Sequence, residues 1–339
     1  MHISFREIST AEVQRLTNKR DGETKLGQIV DVVQDGEALS DALARSTAPF
    51  ALIGIPEDIG VRANGGVGGT HTAWPATLKA LLNVQSTPQL SGEEVLVLGA
   101  FDFEVLMKHS HGLRAVELRP LVEEVDAAVA PVIEAIIRAG KIPLVIGGGH
   151  NNALPILRGA AIALDHPLSA INVDAHTDCR PTEGRHSGNP FRYAMDEGIL
   201  ARYAALGLQE AYNGGAVVSA LRNDPRVQLH FFEDIFLRGR YGWEAAVDFA
   251  LQHVAGYVSG IELDVDCITG VLSSAATPTG LPVMEARRTL YRLVQSADVA
   301  YLHLPEGAAR LADGRTSALT GKLLATLVLD FIRGFKDRL

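Results

Sequence analysis

Three short segments carry acids and imidazoles at the ends of apolar runs. The first, Ile142-Pro143-Leu144-Val145-Ile146-Gly147-Gly148-Gly149-His150, closes on glycines that let the chain turn and set His150 at the end of a strand. Alone, this histidine reads first as a neutral helix cap. In the second, Ala170-Ile171-Asn172-Val173-Asp174-Ala175-His176-Thr177-Asp178, acid, imidazole and acid fall at every second position, and an extended backbone would put all three on one side. Two carboxylates on a core-facing strand call for cations or hydrogen bonds, because unpaired buried charge is costly. The third, Gly260-Ile261-Glu262-Leu263-Asp264-Val265-Asp266, repeats the design. A single such strand end can be a pair of capping aspartates, whereas three of them point to a metal cluster.

Charge counting narrows the metal. The carboxylates of Asp174, Asp178, Asp264 and Asp266 with neutral His150 and His176 sum to −4, which two divalent ions neutralise. Oxygen-rich ligation with some nitrogen and no thiolate suits two Mn2+ per chain better than structural zinc, with nickel, iron and cobalt as remaining candidates. Two ions about 3.5–4 Å apart share a water and deprotonate it near neutral pH, so hydrolysis is the expected chemistry. Cys179 and Cys267 each follow a candidate ligand, but neighbours in an extended segment point to opposite faces, so they are expected to be free, packed thiols.

The elements that must position these residues are readable from hydrophobic patterning. Apolar runs at 51–55, 94–98, 142–146, 169–173, 203–206, 227–231, 258–264 and 299–304 alternate with helical stretches at 73–83, 118–139, 151–164, 242–254, 284–295 and 316–331. This alternation predicts an α/β fold of three layers, α/β/α, around a central, mostly parallel sheet of about eight strands. Without a linker or a repeat, 46–339 reads as one domain. Residues 1–45, with charged helical patches near 11–19 and 26–44, read as an N-terminal helical extension.

Composition sets the outer bounds. A chain of 339 residues, 47% hydrophobic and 21% charged, has ample material for a core. A net charge of −9 without a basic cluster argues against nucleic acid. No apolar run reaches the roughly 18 residues of a membrane span, and 1–16 lacks a signal peptide's apolar centre, so a cytoplasmic location is expected.

Taken in order, these motifs resemble the ureohydrolase family of arginase, agmatinase and formimidoylglutamase, whose Gly-Gly-x-His, Asp-Ala-His-x-Asp and Asp-x-Asp motifs hold two manganese ions. The likeness runs from about 50 to 331. It implies an arginase-like fold, a homo-oligomeric assembly, a small amidine or guanidine substrate, and division of the six candidate ligands between two metals with carboxylates bridging. Two segments point within the family to formimidoylglutamase. Asp178-Cys179-Arg180 with Ser187-Gly188-Asn189-Pro190-Phe191-Arg192 is similar to its Asp-x-Arg and Ser-Gly-Thr-Pro-Phe-Arg pattern. The stretch Glu57-Asp58-Ile59-Gly60-Val61-Arg62-Ala63-Asn64-Gly65-Gly66 resembles its Asp-Glu-Gly-Val-Arg-Arg-Asn-Gly-Gly loop.

The resemblance implies hydrolysis of N-formimidoyl-L-glutamate to L-glutamate and formamide. Arg62, Asn64, Arg180, Asn189 and Arg192 would receive the substrate's carboxylates, Asp178 would move a proton to the departing amine, and Glu285 would face the amidine nitrogens. The arginase proton-shuttling histidine falls at Phe191, which leaves His186, and with less support His71, as substitutes. Two rival readings stand beside this one. The first is a guanidino-compound ureohydrolase that releases urea. The second is a non-catalytic metal-binding or nucleotide-binding module, built on the glycine loop Gly65-Gly66-Val67-Gly68-Gly69.

Overall fold

A strand covered on both faces needs apolar residues at successive positions, and the eight apolar runs meet that need. In the structure, a computed structural model that describes residues 3–338, each of them is a strand. In chain order the strands are β1 (Ser4–Glu7), β2 (Asp31–Val32), β3 (Phe50–Gly54), β4 (Val95–Asp102), β5 (Ile142–Ile146), β6 (Leu168–Val173), β7 (Leu200–Leu208), β8 (Val227–Phe231), β9 (Ser259–Leu263) and β10 (Val299–Leu304). They form one ten-stranded sheet in the order β1-β4-β3-β5-β10-β9-β6-β7-β8, with β2 also on β4. Every pairing is parallel except that of β1 with β4.

The N-terminal stretch departs from the expected helical extension. Its helices Thr10–Leu16 and Leu39–Arg45 are present, but β1 and β2 lie among them and both pair with β4, β1 opposite Gly99–Asp102 and β2 opposite Leu96 and Val97. These strands raise the count from about eight to ten. Neither carries a readable pattern, because β1 is mostly exposed and β2 has only two residues.

Successive strand residues serve two cores. On β3, Phe50 and Leu52 belong to the core shared with the helices Ala73–Leu82, Trp243–Val254, Val283–Ser296 and Thr320–Lys336, whereas Ala51 and Ile53 belong to the core shared with Ala115–Arg138 and Ala153–Leu164. The sheet is thus the middle of three layers. The last two helices approach so closely that a Cβ at Gly159 would lie 2.4 Å from the carbonyl oxygen of Ala130, so glycine is required there. Among the described residues, no helix is long and apolar enough to cross a membrane.

Because β5, β10, β9 and β6 are neighbours and parallel, their carboxyl ends open on one edge of the sheet. That edge is where open parallel sheets place their ligands.

Candidate metal centre

Each of the three segments leaves its strand by a local device. After β5, Gly147 and Gly148 take left-handed backbone (φ 81° and 70°) and turn the chain so that His150 stands over the sheet edge. After β6, the Asp174 carboxylate accepts the His176 N–H at 2.7 Å, and after β9 the Asp264 carboxylate accepts the Asp266 N–H at 2.8 Å. These are Asx turns, in which an aspartate folds the residue two positions on back toward itself. The extended, one-sided arrangement expected for 174–178 is therefore not what gathers the group. The strand stops at Val173, and Asp178 returns its side chain through left-handed backbone at φ 45°.

The outcome is a buried acidic cluster. His150 Nδ1 lies 2.9 Å from Asp178, 3.1 Å from Asp264 and 3.3 Å from Asp174. His176 Nδ1 lies 3.3 Å from both Asp174 and Asp266. Among the described residues, two groups at the sheet edge could each hold a metal ion, His150 with Asp174, Asp178 and Asp264, and His176 with Asp174 and Asp266, so Asp174 is common to both; a third such group, His150 with Glu262 and His303, shares His150 with the first. All six residues expected from the sequence are brought together. Cys179 and Cys267 are free and buried, belong to neither group, and have thiols pushed well up by burial.

The electrostatics show what the cluster lacks. Burial, and then neighbouring carboxylates, push Asp178 and Asp264 above the usual carboxylate range, and burial likewise raises Asp266. Burial alone would lower His150, yet Asp174, Asp178 and Asp264 outweigh it and raise it; His176 is raised against its own burial by Asp266 and Asp174. Protons on the imidazoles are then the available positive charge. His150 Nδ1 and Asp266 Oδ1 are buried without a hydrogen-bond partner, aimed into the cluster. Orphaned donors of this kind, oxygen-rich with imidazole nitrogen and no thiolate, fit a pair of hard or borderline divalent cations.

A cavity of about 530 Å3 opens over the cluster and is lined by His176, Asp178, Asp264 and Asp266, with Asn64, Arg180, Tyr212 and Glu306 on its walls. Arg180 is the single arginine or lysine on that lining, and it donates to Asn64 Oδ1 at 2.6 Å. The other expected substrate groups lie elsewhere. Arg62 is tied to Asp58 at 2.7 Å and to the Ser110 carbonyl, and faces a neighbouring cavity of about 580 Å3 together with His71. Arg192 pairs with Asp196 at 3.1 Å and borders a third cavity. Asn189 turns inward, accepting from Arg185 and donating to the Gly184 carbonyl.

His186 also lies outside the cavity lining. It is fully buried, its Nδ1 accepts the Gly188 N–H at 3.1 Å, and burial followed by Arg180 and Arg119 lowers it to about 4. Its ring is thus held within the loop, away from the cavity lining. Glu285 is half-buried in the first turn of Val283–Ser296 and does not line the cavity.

Glu306, by contrast, does line it. It follows β10, has left-handed backbone at φ 64°, and accepts the His150 N–H at 2.9 Å. Such backbone is uncommon for a residue with a side chain and persists where the surroundings impose it. Burial first, then Asp266 and Asp178, raise its carboxyl to about 8. In the sequence it is a lone acid in Pro305-Glu306-Gly307, and only its place just beyond an apolar strand signals it. Tyr212 was equally unmarked; its ring stacks on His176 with centroids 5.7 Å apart, and its hydroxyl meets Thr277.

Residues 48–329 match the model of the arginase family. A formimidoylglutamase of Geobacillus kaustophilus (strain HTA426) is 28% identical over 315 residues, 91% of this chain and 91% of that protein. The crystal structure of formimidoylglutamase from Bacillus subtilis subsp. subtilis str. 168 superposes with a TM-score of 0.73 at 21% identity, covering 94% of each chain. That of Trypanosoma cruzi formiminoglutamase with Mn2+2 superposes at 0.69 and 22% identity, covering 92% of this chain and 98% of that one. At these identities the two structures establish the fold.

Proposed function

The chain belongs to the arginase family, and from that premise we propose that it hydrolyses a linear amidine, N-formimidoyl-L-glutamate plus water giving L-glutamate and formamide, with two Mn2+ bound. The observation that carries the reading is the pair of His/Asp groups sharing Asp174 at the base of the cavity. Relatives named formimidoylglutamase, one of them crystallised with Mn2+, support the substrate and the metal.

His150, Asp174, His176, Asp178, Asp264 and Asp266 would hold two such ions, which when bound would supply a water deprotonated near neutral pH. The chain's own residues then orient and neutralise. Glu306, on the cavity wall above Asp178 and Asp264, faces the cationic amidine nitrogens, which draw its raised carboxyl into the charged form. Arg180, pre-oriented by Asn64, receives a substrate carboxylate, a pairing that guanidinium geometry favours. Asp178 accepts the proton of the attacking water and returns it to the departing amine.

The test is a screen of the manganese-loaded protein on formimidoylglutamate, arginine, agmatine and guanidino acids, with formamide, ammonia and urea all measured. Formamide from formimidoylglutamate is expected. Urea from a guanidino compound, with formimidoylglutamate left intact, would falsify the assignment in favour of a guanidino ureohydrolase.

A further inference from the structure

His150 presents one ring nitrogen to the acidic cluster and the other to the sheet. Behind the cluster, Nε2 lies 3.4 Å from Oε2 of Glu262 on β9, and neither ring nitrogen has a hydrogen-bond partner within the chain. The same Oε2 is 2.7 Å from Nδ1 of His303 on β10, while Oε1 accepts from the Tyr301 hydroxyl at 2.8 Å. His303 Nε2 faces the carbonyl of Gly147, 3.3 Å away, in the turn that carries His150. Glu262, Tyr301 and His303 are fully buried, and none lines the cavity, so the unit does not touch substrate.

We propose that Glu262, braced by Tyr301 and His303, is a positioning residue for the metal centre: it holds the proton of His150 on Nε2 and so presents the Nδ1 lone pair to the ion shared with Asp178 and Asp264. The proposal rests on reading His150 as a ligand. A neutral imidazole has one N–H and one lone pair, and the partner of the first decides where the second points. A carboxylate behind the ring also makes it a stronger donor to metal. The rival account is that Glu262 serves only to pair His303 inside the sheet, in which case His150 is indifferent to it.

The experiment reads metal binding by the full chain, by Mn2+ titration and electron paramagnetic resonance, in which an interacting ion pair differs from a single ion. The variants are Glu262→Gln, and the double variant Glu262→Leu with His303→Leu, which removes both members of the buried Glu262–His303 pair together. In the double variant, affinity for one of the two ions is expected to fall about 10–100-fold, and the pair signal to give way to that of a single ion. Glu262→Gln, which keeps an acceptor oxygen without the charge, is expected to lose roughly tenfold at the same ion. Wild-type affinity for both ions in either folded variant overturns the proposal, as does equal weakening of the two, which marks general loosening of the sheet. If the double variant does not fold, the glutamine variant decides alone. If the unaltered chain binds no ion pair, the metal reading itself has failed, and the wild-type titration shows that separately.

Discussion

Asp174 is the residue on which the two candidate ion sites depend together, since it lies 3.3 Å from both His150 and His176. Asp174→Ala is expected to take metal content from about two ions per chain to none by elemental analysis, whereas His176→Ala should retain one. Glu306→Gln should leave the metal in place and lower kcat/KM on the order of a hundredfold, the usual scale for losing one partner of a buried charged pair. Among the arginines, Arg180→Met should raise KM and Arg62→Met should not, because only Arg180 lines the cavity. His186 makes a prediction in pH. Its folded-state value near 4 lies below the ordinary 6.5, so it favours the folded chain fully above about pH 6.5, and that contribution is lost as pH falls toward 4. Denaturant titrations between pH 4 and 7 should show a shallower loss in His186→Gln; an identical slope would count against a buried neutral imidazole. The ligand types were legible because an acid closing a buried apolar strand is tolerated only beside a cation or hydrogen-bond donors. Their convergence was not, since it comes from two Asx turns and one left-handed aspartate rather than from strand alternation.

At the scale of elements, the segment from Asp178 to Asn189 that carries Arg180 is pinned from below by Arg185. This guanidinium is almost wholly buried and reaches Asp126 at 2.7 and 3.2 Å, the Asn151 carbonyl at 2.8 Å and Asn189 at 3.0 Å. Asp126 lies on the long helix Ala115–Arg138, so one ion pair joins that helix, the turn after His150 and the cavity wall. Asp126→Ala strands the buried charge and is expected to destabilise the chain by roughly 3–5 kcal/mol in denaturant titration, with a raised KM at temperatures where it stays folded. Nothing in the sequence joins positions 126 and 185, for such a pair is visible only once the fold has superposed them. The other eight strands, by contrast, were legible, because burial on both faces favours apolar residues at most positions. β1 and β2 escaped because an exposed edge strand and a two-residue pairing impose no such pattern.

Over the whole molecule, a group of buried carboxylates on one sheet edge makes the folded state depend on its counter-ions. Removal of metal by a chelator should lower Tm, and readdition of Mn2+ should restore it, since ligand at a hundred times Kd contributes about 2.7 kcal/mol; a Tm indifferent to both would contradict the metal reading. The sheet order has one more consequence. β10, last of the strands in the chain, lies between β5 and β9, so the strand bearing His150 and the strand bearing Asp264 and Asp266 become neighbours only through it. On a ribosome, a nascent chain grown to residue 298 would carry all six ligands with no strand to join their two halves. Competence to capture metal would then arrive abruptly, when residues 299–304 slot into the gap left for them.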